Sequence, residues 1–155
     1  MQHLELLNIY EIKRIMAKEK VKVKWLENMA FSAEVSGHEI IIDAPEKAGG
    51  QDRGTRPKPL MLAALAGCTG MDVVSILKKM RVEPDDFSVV VEGELTEEHP
   101  KHFISMHVIY EFTGKNLPME KLQKAVNLSE ERYCGVSATY RKALGLTSEI
   151  KIIEK

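Results

Sequence analysis

Alternating apolar and polar residues mark the strands that this chain predicts. In residues 21–27, Val-Lys-Val-Lys-Trp-Leu-Glu, the two kinds of side chain alternate over most of the stretch, which is typical of a half-buried strand. The segments 87–95 and 103–112 are rich in Val, Ile, Tyr and Phe, which favour strands. In all, we expect six strands, at residues 21–27, 30–35, 39–42, 87–95, 103–112 and 148–153.

A long apolar stretch at residues 56–80 interrupts this pattern and predicts a single helix. Two prolines suit its first turn, and Pro84 follows its end. No charged residue lies between Lys58 and Asp72, and the apolar residues cover every side. A helix that is apolar all round belongs in the middle of a core, and one sheet face in a single chain cannot cover it. We therefore expect a dimer whose two central helices are enclosed by sheets from both chains.

Two shorter helices are expected towards the C-terminus. The first begins at residues 116–118. Ser129 is interpreted as the N-cap of the second, because two glutamates follow it in the first turn, where the helix dipole favours acids. This helix would contain Cys134 and end at Gly145. The element order is then βββ-α-ββ-α-α-β, which indicates an α+β fold with helices packed on antiparallel sheet.

The length of 155 residues suggests one domain with an N-terminal tail. Residues 1–20 place apolar side chains at roughly helical intervals. They are interpreted as an amphipathic arm that docks on a partner subunit or, because Met16 also begins a plausible protein, as a start-site artefact. Residues 21–155 then form the domain.

Charge and composition exclude several classes of function. The formal net charge is −1, so nothing indicates binding to nucleic acid or to an anionic membrane surface. Gly67, Gly70 and Asp72 interrupt the long helix and argue against a membrane span. We expect a cytoplasmic protein whose cysteines are normally reduced. No phosphate-binding loop stands out, and no bound cofactor is expected.

The two cysteines, Cys68 and Cys134, are the candidates for chemistry, and they lie outside any Cys-x-x-Cys motif. They could be small buried apolar residues. They could instead form a structural disulfide, worth about 4 kcal/mol in loop entropy. They could also be a peroxide-reducing pair, in which one sulfur becomes a sulfenic acid and the other captures it as a disulfide.

His99 and His102 lack a third nearby ligand, so we expect no metal site.

A reactive Cys68 would need a cation, because its helical neighbours favour the neutral thiol. Apolar side chains around it and Asp72 one turn later would both raise its pKa. Arg53 and Arg56, in the loop before the helix, are the candidates for the compensating charge, and Lys58 is a weaker one. Each of these cations is equally compatible with an ordinary solvated loop.

Two motifs resemble the OsmC/Ohr family. Residues 62–79, Leu-Ala-Ala-Leu-Ala-Gly-Cys-Thr-Gly-Met-Asp-Val-Val-Ser-Ile-Leu-Lys-Lys, resemble its central helix. Residues 128–136, Leu-Ser-Glu-Glu-Arg-Tyr-Cys-Gly-Val, are similar to its second cysteine segment. The resemblance implies an OsmC-like fold, an intertwined homodimer and thiol-dependent reduction of organic hydroperoxides. It implies that Cys68 attacks the peroxide, that Cys134 resolves the product, and that an external dithiol reduces the disulfide.

Three apolar residues of the predicted helix lie near Cys68, namely Met61, Leu65 and Met71. We expect them to contact the organic tail of such a hydroperoxide. Core packing explains the same three residues without any substrate. Both interpretations remain open from the sequence.

Two departures from the family pattern leave other functions open. Better-studied members carry a glutamate where this chain has Lys58 and Pro59, and an arginine on an early hairpin, which residues 34–42 lack. A second hypothesis is therefore a non-enzymatic small-molecule binding or redox-sensing protein of the same fold. A third is thiol chemistry on another substrate, such as a persulfide.

Overall fold

The computed structural model describes residues 18–154 and contains two compact units, which divide between Arg56 and Pro57. The N-terminal arm expected at residues 1–20 lies almost entirely outside the described residues. Each unit has one three-stranded sheet.

The first unit is built on an antiparallel meander of three strands, β1 (Lys22–Glu27), β2 (Ala30–Val35) and β3 (His38–Ile42). Ser36 and Gly37 join β2 to β3, with φ of 51° and 80°. Positive φ at both central residues matches the right-handed twist of the flanking strands, which explains why this pair makes the turn. The predicted strands of the meander are confirmed to within a residue at each end. The expected half-burial of β1 is wrong for the single chain, because all six of its residues are exposed.

After β3 the chain forms a loop that closes on Asp43. The carboxylate of Asp43 accepts backbone N–H groups from Ala44, Gln51 and Arg53, at 2.8, 3.2 and 3.1 Å. Asp43 is only 3% exposed. This buried carboxylate therefore supplies the hydrogen bonds that an irregular loop cannot make for itself.

The second unit carries a long helix, a second sheet and the two cysteines. Its elements in chain order are α1 (Pro57–Lys79), β4 (Asp86–Leu95), β5 (Phe103–Thr113), α2 (Met119–Leu128), a π-helical turn (Ser129–Tyr133), α3 (Gly135–Tyr140) and β6 (Gly145–Ile153). All six predicted strands and the long helix are present, and the α+β class is confirmed.

The second sheet differs from the prediction in one ladder. β5 is the middle strand, and it pairs antiparallel with β4 but parallel with β6, from Ser105 opposite Gly145 to Thr113 opposite Ile153. The expectation of antiparallel sheet is therefore wrong for the β5–β6 ladder. The physical reason is that α2 and α3 form a crossover connection, which returns the chain to the same end of the sheet.

The helix boundaries near Cys134 also differ from the prediction. Ser129 is not an N-cap, because its backbone N–H continues the hydrogen bonding of α2 by donating to the carbonyls of Ala125 and Val126. Cys134 lies between the π-helical turn and α3, with extended backbone angles, and it is the N-cap of α3. Gly145 begins β6 and does not end a helix.

The core of the second unit lies between one face of α1, the sheet and α2. The buried residues of α1 recur at helical spacing and are Leu65, Thr69, Val73, Ile76 and Leu77. They pack with buried side chains from β5 and α2, among them Met106, Val108, Tyr110, Phe112, Leu122 and Val126.

The opposite face of α1 is exposed in the single chain. Met71 is 72% exposed and Val74 is 53% exposed. An open groove of about 680 Å³ runs along this face between α1 and β4. By length and composition alone α1 could cross a membrane, but a core helix passes the same test, and α1 has a buried face here. The single chain therefore covers one side of the helix, whereas the burial on every side that the sequence predicted refers to a dimer and stays a prediction.

Candidate functional site

The two cysteines come together in the second unit, from elements distant in the sequence. Cys68 lies in the middle of α1, and Cys134 precedes the first residue of α3. The sulfur atoms of both residues and a carboxylate oxygen of Asp72 all lie within 4.8 Å of one another. Both cysteines are free thiols.

The two thiols differ in their access to solvent. Cys134 is only 2% exposed, whereas Cys68 is half-buried. A reagent from solvent therefore reaches Cys68 more readily than Cys134.

Backbone N–H groups at the start of α3 face both sulfur atoms. The N–H of Ser137 donates to Cys134 Sγ at 3.4 Å. The backbone N–H of Val136 favours the ionised form of Cys68 and so lowers its pKa. These groups have no partner within their own helix, because the first turn of a helix leaves its N–H groups unpaired. The start of α3 thus supplies positive dipoles where the sequence led us to expect a side-chain cation.

The surroundings of Cys68 favour its neutral form. Burial raises the pKa of the Cys68 thiol, and the hydrogen bond with Cys134 raises it further. The Val136 N–H acts in the opposite direction, while the nearby charges of Cys134 and Asp72 add to the rise. The raised pKa expected from the apolar neighbours and Asp72 is therefore found, and the second cysteine contributes to it.

A buried chain of hydroxyl groups lies behind the two thiols. Ser129 donates to Asp72 Oδ2 at 3.1 Å, and Tyr110 donates to Glu130 Oε1 at 3.1 Å. Thr69 Oγ1 lies between them, 2.8 Å from the Ser129 hydroxyl and 2.6 Å from the Tyr110 hydroxyl. Because the two outer hydroxyls give their protons to carboxylates, the Thr69 proton is available to either neighbour.

This hydroxyl chain fixes the segment that carries Cys134. Ser129 and Glu130 are the first two residues of the π-helical turn. Arg141 holds the same turn, donating to the Glu130 carbonyl at 2.7 Å and to its carboxylate at 3.0 Å. Burial raises the pKa of Tyr110, which therefore remains a neutral donor at physiological pH. The position of Cys134 relative to α1 depends on these contacts.

The candidate cations Arg53 and Arg56 belong to the first unit, where acidic side chains engage them. Arg53 pairs with Glu27 at 2.8 Å and lies 3.8 Å from Asp43. Arg56 pairs with Asp52 at 2.5 Å. Their assignment to the activation of Cys68 stays a prediction.

The three candidate substrate contacts occupy different environments. Leu65 is fully buried in the core, Met61 is 39% exposed, and Met71 is 72% exposed. A separate cavity of about 310 Å³ adjoins the thiol site, because Asp72 lines it together with Tyr133, Leu128 and residues one and two turns along α1. The contact of Met61, Leu65 and Met71 with an organic tail stays a prediction.

Several residues around the site were not identified from the sequence. Thr69 and Tyr110 resemble core residues of a helix and a strand, and only their packing shows that their hydroxyls meet. Arg141 and the backbone N–H groups of Val136 and Ser137 carry no motif. One indication was present, since Cys68-x-x-x-Asp72 places a thiol and a carboxylate on one helix face.

Comparison with known proteins agrees with this arrangement. The family model described as OsmC-like protein matches residues 49–149. The chain is 34% identical to Protein YhfA of Escherichia coli K12 over 135 residues, which cover 86% of this chain and 98% of YhfA.

Solved structures give the same result for the fold. A hypothetical protein from Aquifex aeolicus VF5 superposes with a TM-score of 0.78 at 29% identity, covering 90% of this chain and 99% of the other. The organic hydroperoxide resistance protein OhrB of Bacillus subtilis superposes with a TM-score of 0.63 at 22% identity. The superposition covers 87% of this chain and 98% of OhrB. The family match spans most of the chain and includes both cysteines, and the protein is therefore a member of the OsmC family.

Proposed function

We propose that the protein reduces organic hydroperoxides with a thiol reductant, through Cys68 and Cys134. The observation that carries this proposal is the approach of the two free thiols to within 4.8 Å. Membership of the OsmC family and the likeness in fold to a hydroperoxide resistance protein support the choice of substrate.

The roles of the two cysteines follow from their exposure. The Cys68 thiolate attacks the terminal oxygen of the peroxide, the O–O bond breaks, and an alcohol leaves while Cys68 becomes a sulfenic acid. The buried Cys134 thiol then attacks this sulfur, which forms the disulfide and releases water. An external dithiol exchanges with the disulfide and restores both thiols, with no bound cofactor. In the proposed cytoplasmic setting such reductants are abundant.

The exposed face of α1 supports a homodimer as the working form. Met71 and Val74 are apolar and exposed, and they line the groove between α1 and β4. A second copy would bury this face and add an apolar surface near the thiol site. Such a surface would suit the organic tail of a hydroperoxide.

The decisive experiment is mass spectrometry of the reduced protein after reaction with one equivalent of cumene hydroperoxide. The protein is first treated with a chelator to remove any metal ion bound to the thiols. We expect the intact chain to lose two hydrogen atoms and a Cys68–Cys134 cross-linked peptide to appear. Cys68→Ser should abolish peroxide consumption, whereas Cys134→Ser should still consume one equivalent and accumulate the sulfenic acid and its over-oxidised products. A chain that stays fully reduced while the peroxide persists would refute the proposal, and the reverse pattern in the two variants would exchange the roles.

One observation favours the second hypothesis, a non-enzymatic redox sensor or small-molecule binding protein. The raised pKa of Cys68 leaves little thiolate at neutral pH, which slows attack on peroxide. Under this hypothesis the disulfide forms stoichiometrically but turnover with a supplied dithiol is absent. Measuring repeated turnover with excess peroxide and dithiol separates the two.

A further inference from the structure

Cys68, Asp72 and Cys134 together have the composition of a metal site, which the sequence did not lead us to expect. Cys68 and Asp72 are four residues apart on α1, so their side chains lie on one face of the helix. Cys134 approaches that face from the start of α3, and the three ligand atoms lie within 4.8 Å of one another. We propose that the reduced thiol pair and Asp72 bind Zn²⁺ with two thiolates and one carboxylate.

The donor set suits zinc in kind and in number. Zn²⁺ takes thiolate sulfur at about 2.3 Å and carboxylate oxygen at about 2.0–2.2 Å, in tetrahedral geometry. Ligand atoms around such an ion are about 3.3–3.8 Å apart, so the present spacing needs only modest side-chain rotation. Three protein ligands leave a fourth position for water. On binding, each thiol gives its proton to solvent, and each resulting thiolate donates one lone pair to the ion.

Neighbouring groups already orient two of the three ligands. Ser129 donates to Asp72 Oδ2, and the Ser137 N–H donates to Cys134 Sγ. Hydrogen bonds of this kind fix the direction of metal ligands and tune their affinity. Ser129 is in turn held by Thr69 in the buried hydroxyl chain, so the carboxylate is constrained before any ion arrives.

The charge at the site is also consistent with a cation. In the part of the chain that the structure describes, Asp72 takes part in no ion pair. A carboxylate beside two ionisable thiols therefore lacks a positive side-chain partner there. A divalent ion would compensate these charges more fully than the backbone dipoles of α3.

Solvent can reach the site without unfolding the protein. Cys68 and Asp72 are both partly exposed, while Cys134 closes the buried side. A cavity of about 310 Å³ adjoins the site on the side of Asp72, which lines it. Peroxide would reach the sulfurs through the partly exposed Cys68, so zinc and peroxide would compete for one pair of sulfurs. Zinc binding itself requires no peroxide chemistry, whereas this inhibition rests on the proposed function.

The test measures metal binding to the full-length, reduced protein in the absence of peroxide. Zn²⁺ is titrated in competition with a chromophoric chelator, and Cd²⁺ is titrated while its thiolate charge-transfer absorption is recorded. We expect one ion per chain and a cadmium–thiolate band. Asp72→Asn should weaken Zn²⁺ binding at least tenfold. The matched control is Asp85→Asn, because Asp85 is an exposed aspartate at the end of the connection between α1 and β4. This control should bind Zn²⁺ as the wild type does.

A second measurement needs no variant that could misfold. Wild-type protein whose thiols have been fully alkylated should bind no Zn²⁺ and show no cadmium band. Equal binding by the alkylated and reduced forms, or unchanged affinity in Asp72→Asn, would overturn the proposal. If zinc binds as expected but the chelator-treated protein never reduces peroxide, the metal site stands and the proposed peroxidase function fails.

Discussion

At the scale of single residues, Cys68 is distinguished by the groups that oppose its ionisation. Burial, the second thiol and the charge of Asp72 all raise its pKa, and the Val136 N–H offsets only part of the rise. A thiol in this environment reacts slowly with electrophiles at neutral pH, because only the thiolate is nucleophilic. The carboxylate is the one of these groups that can be neutralised with little change in shape.

We predict that Asp72→Asn increases the rate at which Cys68 is alkylated. Removing the negative charge lowers the pKa of the thiol, and the asparagine oxygen still accepts the Ser129 hydroxyl. The measurement is the rate of iodoacetamide labelling at Cys68 between pH 6 and pH 10, with a chelator present and the peptides quantified by mass spectrometry.

In the wild type, the labelling rate should still be rising with pH beyond the ordinary value of 9.0 for a cysteine. Asp72→Asn should shift the profile to lower pH and give severalfold faster labelling at pH 7. Asp85→Asn serves as the control and should leave the profile unchanged. Identical profiles for wild type and Asp72→Asn would show that the carboxylate does not act on the thiol.

Asp43 gives a second prediction, for the stability of the first unit. Burial raises the pKa of this carboxyl, but N–H donation from Arg53, Ala44 and Gln51 outweighs burial, so the net pKa lies below its ordinary 3.8. Asp43→Asn should lower the melting temperature at neutral pH, because its amide would set N–H donors against the backbone donors.

The sign of its pH dependence follows from the lowered pKa. Stability from the ionised Asp43 is fully present above pH 3.8 and is lost as pH falls through the folded-state pKa. The difference in melting temperature between wild type and Asp43→Asn should therefore shrink only at strongly acidic pH. Thermal melts at pH 7 and pH 3 would test it, with the exposed Asp52→Asn as control. A difference that grows as pH falls would contradict the assignment.

At the scale of elements, the hydroxyl chain couples α1 to the π-helical turn that precedes Cys134. Thr69 is the central member and is fully buried. Thr69→Val keeps the shape but removes hydrogen bonds to Tyr110 and Ser129. We expect a loss of about 1–3 kcal/mol in the free energy of unfolding, because buried hydroxyls are left less well satisfied.

Urea denaturation of Thr69→Val would measure this loss. Thr139→Val is the matched control, since the Thr139 hydroxyl is exposed and donates only to the Gly135 carbonyl within α3. The control should change the stability by less than about 0.5 kcal/mol. Equal effects of the two substitutions would show that the buried hydroxyl chain contributes no more to the free energy of unfolding than an exposed hydrogen bond does. Slower disulfide formation in Thr69→Val would add that it also positions Cys134.

At the scale of the whole molecule, the exposed apolar face of α1 is the feature that a single chain leaves unexplained. Met71 and Val74 stand beside the groove of about 680 Å³ on this face. If two copies pair there, Met71→Glu should convert a dimer into a monomer, because a buried carboxylate without a partner is strongly unfavourable.

Light scattering coupled to size exclusion would give the masses of wild type and variant. Met119→Glu is the control, because Met119 is also exposed but lies at the start of α2, where an acid is favoured. A wild-type protein that is monomeric at high micromolar concentration would contradict the proposed dimer, as would a Met71→Glu variant that remains dimeric.

Agreement between sequence and structure was best where a local pattern decides the conformation. The alternation in residues 21–27, the Ser36-Gly37 turn and the prolines around α1 each act over a few residues, so the strands and the long helix could be predicted closely. The prediction failed at Ser129, where two acidic residues imitate the start of a helix. There the hydrogen bonding of α2 continues, because the buried contacts of Ser129 with Thr69 and Asp72 hold it in the helix.

By itself, the sequence determined the strands, the long helix, the α+β class and the family, because periodicity, turn residues and the two cysteine motifs are local properties. It also indicated that the apolar neighbours and Asp72 would raise the pKa of Cys68. Only the tertiary structure decided that Cys134 meets Cys68, that β6 pairs parallel with β5, and that Thr69 joins Tyr110 to Ser129. These contacts join residues far apart in the chain, and their geometry is set by packing across the core, which no local pattern encodes.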